Sequence, residues 1–274
     1  MPQDKRRVPM RLRRMITLSV VGAFLIGAGA VFGVPRFIAD PLAGVGEGIQ
    51  DLADQVQAKP VTIFDPPKYS IDLASSLWVV SNKQRPISPT RYKPRNLSFP
   101  AFAKPKVQNP FGLQLRTEAA VAAEQLAIGL KEAGLGTLVL NSGFRSYQNQ
   151  KALYERTRDS RGLAVAEKLT ARPGHSEHQL GLAADFSVRG EGCVIMVCFG
   201  KTEAGIWLAE NAHEYGFILR YPKGYKAITG FQYEPWHFRY VGIELATEMN
   251  TKGVKTLEEF WGLPSAPDYV APAG

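Results

Sequence analysis

Two short stretches carry side chains that can hold a metal ion and work beside it. They are Ser176-Glu177-His178-Gln179-Leu180-Gly181-Leu182-Ala183-Ala184-Asp185 and Glu234-Pro235-Trp236-His237. His178, Asp185 and His237 offer two imidazole nitrogens and a carboxylate oxygen. Three protein ligands on a tetrahedral zinc leave its fourth position for water, which separates catalytic zinc sites from closed structural ones. Glu234, three residues before the second histidine, is a carboxylate that can stay off the metal and take a proton from that water. No other pair of segments in the chain offers such a set.

Taken singly, these residues say little. His178 alone reads as a hydrogen-bonded, half-buried histidine, Asp185 as a turn or ion-pair residue, and Glu234 with Trp236-His237 as ordinary strand residues. Gly181 and Ala183 add weight, because small residues suit a segment that passes close to a metal or substrate. If a strand starts at Gly181, its two-residue period puts Gly181, Ala183 and Asp185 on one face. The offset of three between Glu234 and His237 would put those side chains on opposite faces of an ideal strand. A bend or bulge is therefore required, and Pro235 suits an irregular strand start.

Further blocks join these two: Ser142-Gly143-Phe144-Arg145-Ser146-Tyr147 with Gln150, Pro173-Gly174-His175 ahead of Ser176, and Phe238-Arg239-Tyr240-Val241-Gly242 after His237. Between residues 142 and 242 the chain resembles the VanY-type D-alanyl-D-alanine carboxypeptidases, zinc peptidases grouped with lysostaphin and the hedgehog signalling domain. The resemblance implies zinc as cofactor, with His178, Asp185 and His237 as its ligands and Glu234 as the general base. It places Arg145 where the family holds the substrate's terminal carboxylate, a task suited to a planar guanidinium fork. Gln150 and Ser176 match polar positions of the pocket, Tyr221 resembles a site-facing tyrosine, and Trp236 walls the ligand site. His175 either reaches the site or sits on the surface or just behind the site, His213 is structural, Arg239 pairs with a carboxylate, and Arg172 and Glu177 are solvated charges.

The implied reaction is removal of the C-terminal D-alanine from peptidoglycan stem peptides. Two alternatives stay open: an L,D-carboxypeptidase acting on tetrapeptide stems, and a zinc-containing wall-binding module without turnover. The presence of both Glu234 and Arg145 favours an enzyme.

The elements that must position these residues form an α+β pattern. Thr117 is expected to cap a helix running toward Gly134, followed by a strand over residues 137–140 and a helix over 146–157. Strands are expected over 181–188, 217–220 and 237–241, and within 76–81. Thr202 caps a helix that Gly216 ends, and a last helix covers 243–250. Without a regular βαβ alternation, the expected architecture is a central antiparallel sheet with packed helices and the zinc site on the sheet.

The chain of 274 residues carries a formal charge of +8. Residues 1–36 hold Lys5, Arg6, Arg7, Arg11, Arg13, Arg14 and Arg36 against Asp4, a surplus of six that leaves two for the rest. So localised a charge argues against nucleic acid. Residues 15–34 are uncharged, and twenty such residues can cross a bilayer core of ~30 Å. The basic flank then stays in the cytoplasm and the remainder lies outside. A cleaved signal peptide, with Ala28-Gly29-Ala30 as its processing site, is the rival reading.

Leu42, Val45, Ile49, Leu52 and Val56 form a short heptad seam or an amphipathic stalk, and residues 58–110 are rich in proline. The organisation expected is a basic cytoplasmic tail (1–14), a transmembrane anchor (15–34), a stalk and Pro-rich lead-in (35–110), the catalytic domain (111–263) and a tail (264–274). Cys193 and Cys198, the two cysteines of the chain, read in an exported segment as a disulfide closing a small loop. The partners expected are stem peptides and the cytoplasmic membrane.

Overall fold

The structure is a computed structural model that describes residues 64–65 and 68–270. The basic tail, the apolar run and the heptad seam lie outside the described residues. Among those described, no helix is long and apolar enough to cross a membrane.

A two-stranded ribbon, β1 (Leu97–Ser98) with β2 (Leu115–Arg116), precedes the main sheet. The main sheet contains β3 (Leu138–Ser142), β4 (Ala183–Val188), β5 (Phe217–Leu219) and β6 (His237–Tyr240) in the order β3-β4-β6-β5, with every neighbouring pair antiparallel. The helices are α1 (Pro105–Gln108), α2 (Thr117–Glu132), α3 (Tyr147–Arg161), α4 (Leu163–Leu169), α5 (Glu203–Asn211), α6 (Lys226–Thr229), α7 (Ile243–Thr251) and α8 (Leu257–Phe260). Helices packed on an antiparallel sheet are the α+β architecture that the sequence pattern predicts.

Strand alternation gives the sheet two different faces. Leu140 lies opposite Phe186 and Leu138 opposite Val188, and Ala184 lies opposite Phe238. These side chains join Ala119, Ala123, Leu126 and Leu130 of α2 in the main core. The helix positions recur every three or four residues, so α2 turns one apolar stripe onto the sheet. The opposite face carries Asp185 across from His237, and Ala183 across from Arg239. The core therefore holds one side of the sheet while the other side is free for polar work.

Helix starts follow local signals. The Ser146 hydroxyl accepts the amide of Asn149 at 3.2 Å and caps α3. The Thr202 hydroxyl does the same for Gly205 at 3.0 Å on α5. Thr117 differs from expectation. It is the first residue of α2, and its hydroxyl donates to the Asn96 carbonyl at 3.0 Å rather than capping the helix. The 243–250 helix is present as α7 but is followed by α8.

Residues 76–81 are buried but irregular, not a strand. Their carbonyls are taken by guanidinium groups: Arg239 Nη2 donates to Leu77 and Val79, Arg85 Nε to Val80, and Arg116 Nη1 to Ser75 just before them. A backbone so engaged has no ladder left to form. Trp78 anchors this stretch, donating Nε1–H to the Val241 carbonyl at 3.0 Å and packing among Tyr69, Phe64 and Trp261.

Candidate metal and catalytic site

Sheet register brings the candidate ligands together. Asp185 on β4 pairs directly with His237 on β6, and Ser142 on β3 pairs with Asp185 after an irregularity between Leu140 and Ser142. Directly opposite residues hold their Cβ atoms about 5 Å apart. His178 arrives from a single 3-10 turn, Glu177–Leu180, just before β4. That turn ends at Gly181 with φ +69°, and a Cβ there would meet Leu97 Cδ2 at 3.0 Å and Arg116 Cγ at 3.2 Å. Gly181 is thus required by its left-handed backbone and by the β1–β2 ribbon, not by a need to clear space beside a metal.

One ligand atom from each of His178, Asp185 and His237 lies within 4.8 Å of the others, and all three residues are buried. His178 Nδ1 lies 2.8 Å from the Gly143 carbonyl and donates to it, which leaves the Nε2 lone pair facing Asp185 Oδ2 at 3.4 Å. His237 uses the other nitrogen, with Nδ1 3.0 Å from Asp185 Oδ1. The two imidazole rings stand nearly perpendicular, 5.0 Å apart. Two nitrogens and a carboxylate oxygen converging in this way match the donor sets that hold catalytic zinc.

The charge balance fits a cation as well. Burial works to raise Asp185, but His178 and His237 outweigh it and hold the carboxyl below its ordinary range. Burial alone would lower His237, yet its hydrogen bond to Asp185 and the facing carboxylates of Glu177 and Glu234 raise it to about 9. His178 is lowered, burial being the chief cause. Buried carboxylates facing both imidazoles make this a place where a positive charge is favoured.

Glu234 reaches the cluster through a tight turn. His237 N–H donates to the Glu234 carbonyl at 3.0 Å, so the segment bends back before β6 begins at His237. This bend answers the offset of three: Glu234 Oε2 lies 3.9 Å from His237 Nδ1, on the same side. Burial pushes the Glu234 carboxyl up to about 7, with Asp185 adding to it and His237 and Arg145 opposing.

Arg145 lines the same cleft, of about 400 Å³, with Gln150, Ser176, Tyr221, Trp236 and Glu234. Its guanidinium is fixed from behind, Nη1 donating to Gln150 Oε1 at 3.0 Å and Nη2 to Ser142 Oγ at 2.7 Å. Gln150 is itself held by Thr170 Oγ1 and the Ala171 carbonyl. Gln150 thus orients the arginine from a fully buried position. The Tyr221 ring lies 4.9 Å from the His237 ring, tilted by 32°, and shelves it.

The remaining candidates divide. His175 Nδ1 bonds the Asn82 carbonyl at 2.8 Å and meets Tyr269 edge-on, away from the ligand cluster. His213 accepts Asn250 Nδ2–H at 3.0 Å, a structural contact. Arg239 pairs with a carboxylate as expected. Its partner is Glu177, which is fully buried and not a solvated charge. Arg172 is also engaged, bonding Glu167 through Nε at 2.8 Å and stacking over Tyr269 at 4.2 Å. The Glu177 partners come from distant segments that fold onto it, whereas Arg172 pairs with Glu167 five residues before it and meets a distant residue only in Tyr269.

Cys193 and Cys198 are joined as a disulfide. The loop between them exposes Val194, Ile195, Met196 and Val197, and Ile195 also lines the cleft. Ile195, like Glu177, was not among the expected site residues. Its position follows from the staple, which holds an isoleucine at φ +50°.

The VanY family profile, described as D-alanyl-D-alanine carboxypeptidase, matches residues 112–243. The Bacillus subtilis protein YodJ is 37% identical over 195 residues, covering 70% of this chain and 69% of its own. Among solved structures, the LdcB LD-carboxypeptidase superposes with a TM-score of 0.62 at 37% identity, covering 70% of this chain and 88% of that one. The zinc complex of the vancomycin-resistance D,D-pentapeptidase VanY, from a VanB-type cassette, gives 0.55 at 30% identity, covering 69% and 99%. The chain belongs to the VanY D-alanyl-D-alanine carboxypeptidase family.

Proposed function

We propose that this chain is a zinc carboxypeptidase that removes the C-terminal D-alanine from peptidoglycan stem peptides, with the D-Ala–D-Ala end of a pentapeptide as its substrate. The observation that carries this reading is the meeting of three candidate ligands, a buried carboxylate and a fixed guanidinium in one cleft. His178, Asp185 and His237 would hold the ion, which supplies a Lewis acid for the scissile carbonyl and an acidified water. Arg145, braced by Ser142 and Gln150, receives the free terminal carboxylate as a forked pair and so makes the enzyme an exopeptidase. Glu234, with a carboxyl near neutrality, accepts a proton as water adds to the carbonyl carbon. It returns that proton to the amine nitrogen as the C–N bond breaks, leaving a shortened peptide and free D-alanine.

A second reading has a specific support. The likeness to LdcB, an LD-carboxypeptidase, is at least as strong as that to the VanY pentapeptidase, so a tetrapeptide ending in D-alanine is the rival substrate. Mass-spectrometric detection of alanine release from synthetic penta- and tetrapeptide stems tests both. Release from the pentapeptide alone supports the first reading and from the tetrapeptide alone the second. Release from neither, with zinc bound, overturns both.

We also place the domain outside the cytoplasmic membrane, tethered by residues 15–34, because an uncharged stretch of this length follows a basic cluster. Protease accessibility of the tagged C-terminus in intact spheroplasts is the measurement; protection there would overturn this placement.

A further inference from the structure

The His237 ring is gripped on the side away from the ligand cluster. While Nδ1 faces Asp185, Nε2 points at Glu177 Oε2, 3.6 Å away. Both atoms are sealed from solvent, and neither has a hydrogen-bond partner within normal range. Glu177 cannot turn elsewhere. Its Oε1 accepts from Arg220 Nε and Arg239 Nη1, each at 2.8 Å, with all three side chains at 0% exposure.

The grip extends outward. Glu258 receives Arg220 Nη1 at 2.9 Å and Nη2 at 2.8 Å, and Asn82 Nδ2 donates to Glu258 at 2.9 Å. Arg239 is tied to the carbonyls of Leu77 and Val79. A row of buried charges therefore runs from the irregular lead-in through two arginines to one carboxylate and ends on an imidazole.

Burying so many charges is expensive, and well-packed apolar side chains of the same volume often do as well or better for stability. A neutral imidazole has a single N–H, and the group facing one nitrogen decides which carries it. A fixed, ionised carboxylate opposite Nε2 puts the proton there and leaves the Nδ1 lone pair free. We infer that Glu177 is a positioning residue: it holds His237 in orientation and tautomer for metal binding through Nδ1, with Arg220 and Arg239 fixing the carboxylate. The inference rests on the reading of His178, Asp185 and His237 as a metal site.

Zinc affinity of the full-length chain, measured by competition with a chromophoric chelator, tests it. Glu177→Gln should weaken zinc binding about 10–100-fold, the range found when such outer partners are lost. Glu258→Gln, which loosens Arg220 while leaving Arg239 on Glu177 and the ring untouched, should weaken zinc binding far less. Equal weakening by both variants, or no weakening by Glu177→Gln, overturns the inference alone. Wild-type protein that takes up no zinc overturns the metal-site reading and this inference with it.

Should Glu177→Gln fail to fold, the wild type still decides the matter. Its ring nitrogens are read by ¹⁵N NMR with zinc bound. A proton on His237 Nε2 and metal at Nδ1 is the expected pattern, and the reverse assignment overturns the inference.

Discussion

Replacing Glu234 by glutamine should abolish turnover and yet stabilise the metal-free fold at neutral and alkaline pH. The carboxyl is displaced by burial from an ordinary 4.5 to about 7. An acid whose pKa is raised by folding binds its proton more tightly in the folded state, so stability falls as pH rises through the window between those two values. Above about 7 the full cost is present; below about 4.5 it is gone. Each tenfold change in proton affinity is worth about 1.4 kcal/mol, which makes the cost about 3 kcal/mol at most. The side chain keeps 18% exposure, and solvent screening reduces the figure, so about 1–3 kcal/mol is expected.

Glutamine keeps the shape of the side chain and cannot ionise. For a domain of this size 1 kcal/mol shifts the melting temperature by about 2–4 °C. Chelator-treated Glu234→Gln should therefore melt roughly 3–10 °C above wild type at pH 8. The gap should close as pH is lowered toward 4, and it should narrow when zinc is added, because a cation favours the ionised carboxylate. Thermal melts of both proteins across pH, with and without zinc, provide the test. A variant that melts at or below wild type at pH 8, or a gap of equal size at pH 4, would refute the claim that burial has displaced this carboxyl.

Chelation should stop alanine release and lower the melting temperature; restoring zinc at a hundred times its Kd should return about 2.7 kcal/mol, read from the same melts. Arg145→Ala should lower kcat/KM for free-ended peptides by roughly 10–150-fold, the value of a charge-assisted hydrogen bond, while zinc affinity stays near wild type. An amidated peptide, lacking the terminal carboxylate, should be insensitive to that substitution. Cys193→Ser with Cys198→Ser removes a six-residue closure, worth about 2 kcal/mol by chain entropy. Because Ile195 lines the cleft, KM for the stem peptide should move more than kcat, and steady-state kinetics separate the two.

Much of the candidate site's placement was readable because its signals are local. His178 and Asp185 lie on one turn-and-strand segment, Glu234 and His237 on another, and Arg145 and Gln150 on the turn and first coil of one capped helix. Caps at Ser146 and Thr202 follow from side chains that reach only their own helix. What could not be read depends on partners far along the chain. Glu177 looks like a surface charge until Arg220, 43 positions later, and Arg239, 62 positions later, close on it. The apolar run at 77–80 satisfies every local rule for a strand, but Arg239 claims two of its carbonyls. One hint was present for Glu177: it stands just ahead of a run without a charged side chain, Gln179-Leu180-Gly181-Leu182-Ala183-Ala184.

The same register that builds the core builds the site. Pairing of Asp185 with His237 requires Ala184 to lie opposite Phe238, and Ala184, Phe186 and Phe238 are fully buried on the apolar face. A one-residue slip of β6 would turn His237 into that core and Phe238 toward the cleft, since successive side chains point to opposite faces. Placing a polar imidazole among phenylalanines without hydrogen-bond partners costs several kcal/mol, so packing on the far face fixes the geometry of the candidate ligands on the near one. Glu234 escapes this constraint only because its turn precedes β6. The turn can therefore set the candidate base without disturbing the register that sets the candidate ligands. This division explains how an irregular segment and a strict strand can share four residues: the strand contributes His237, and the turn contributes Glu234.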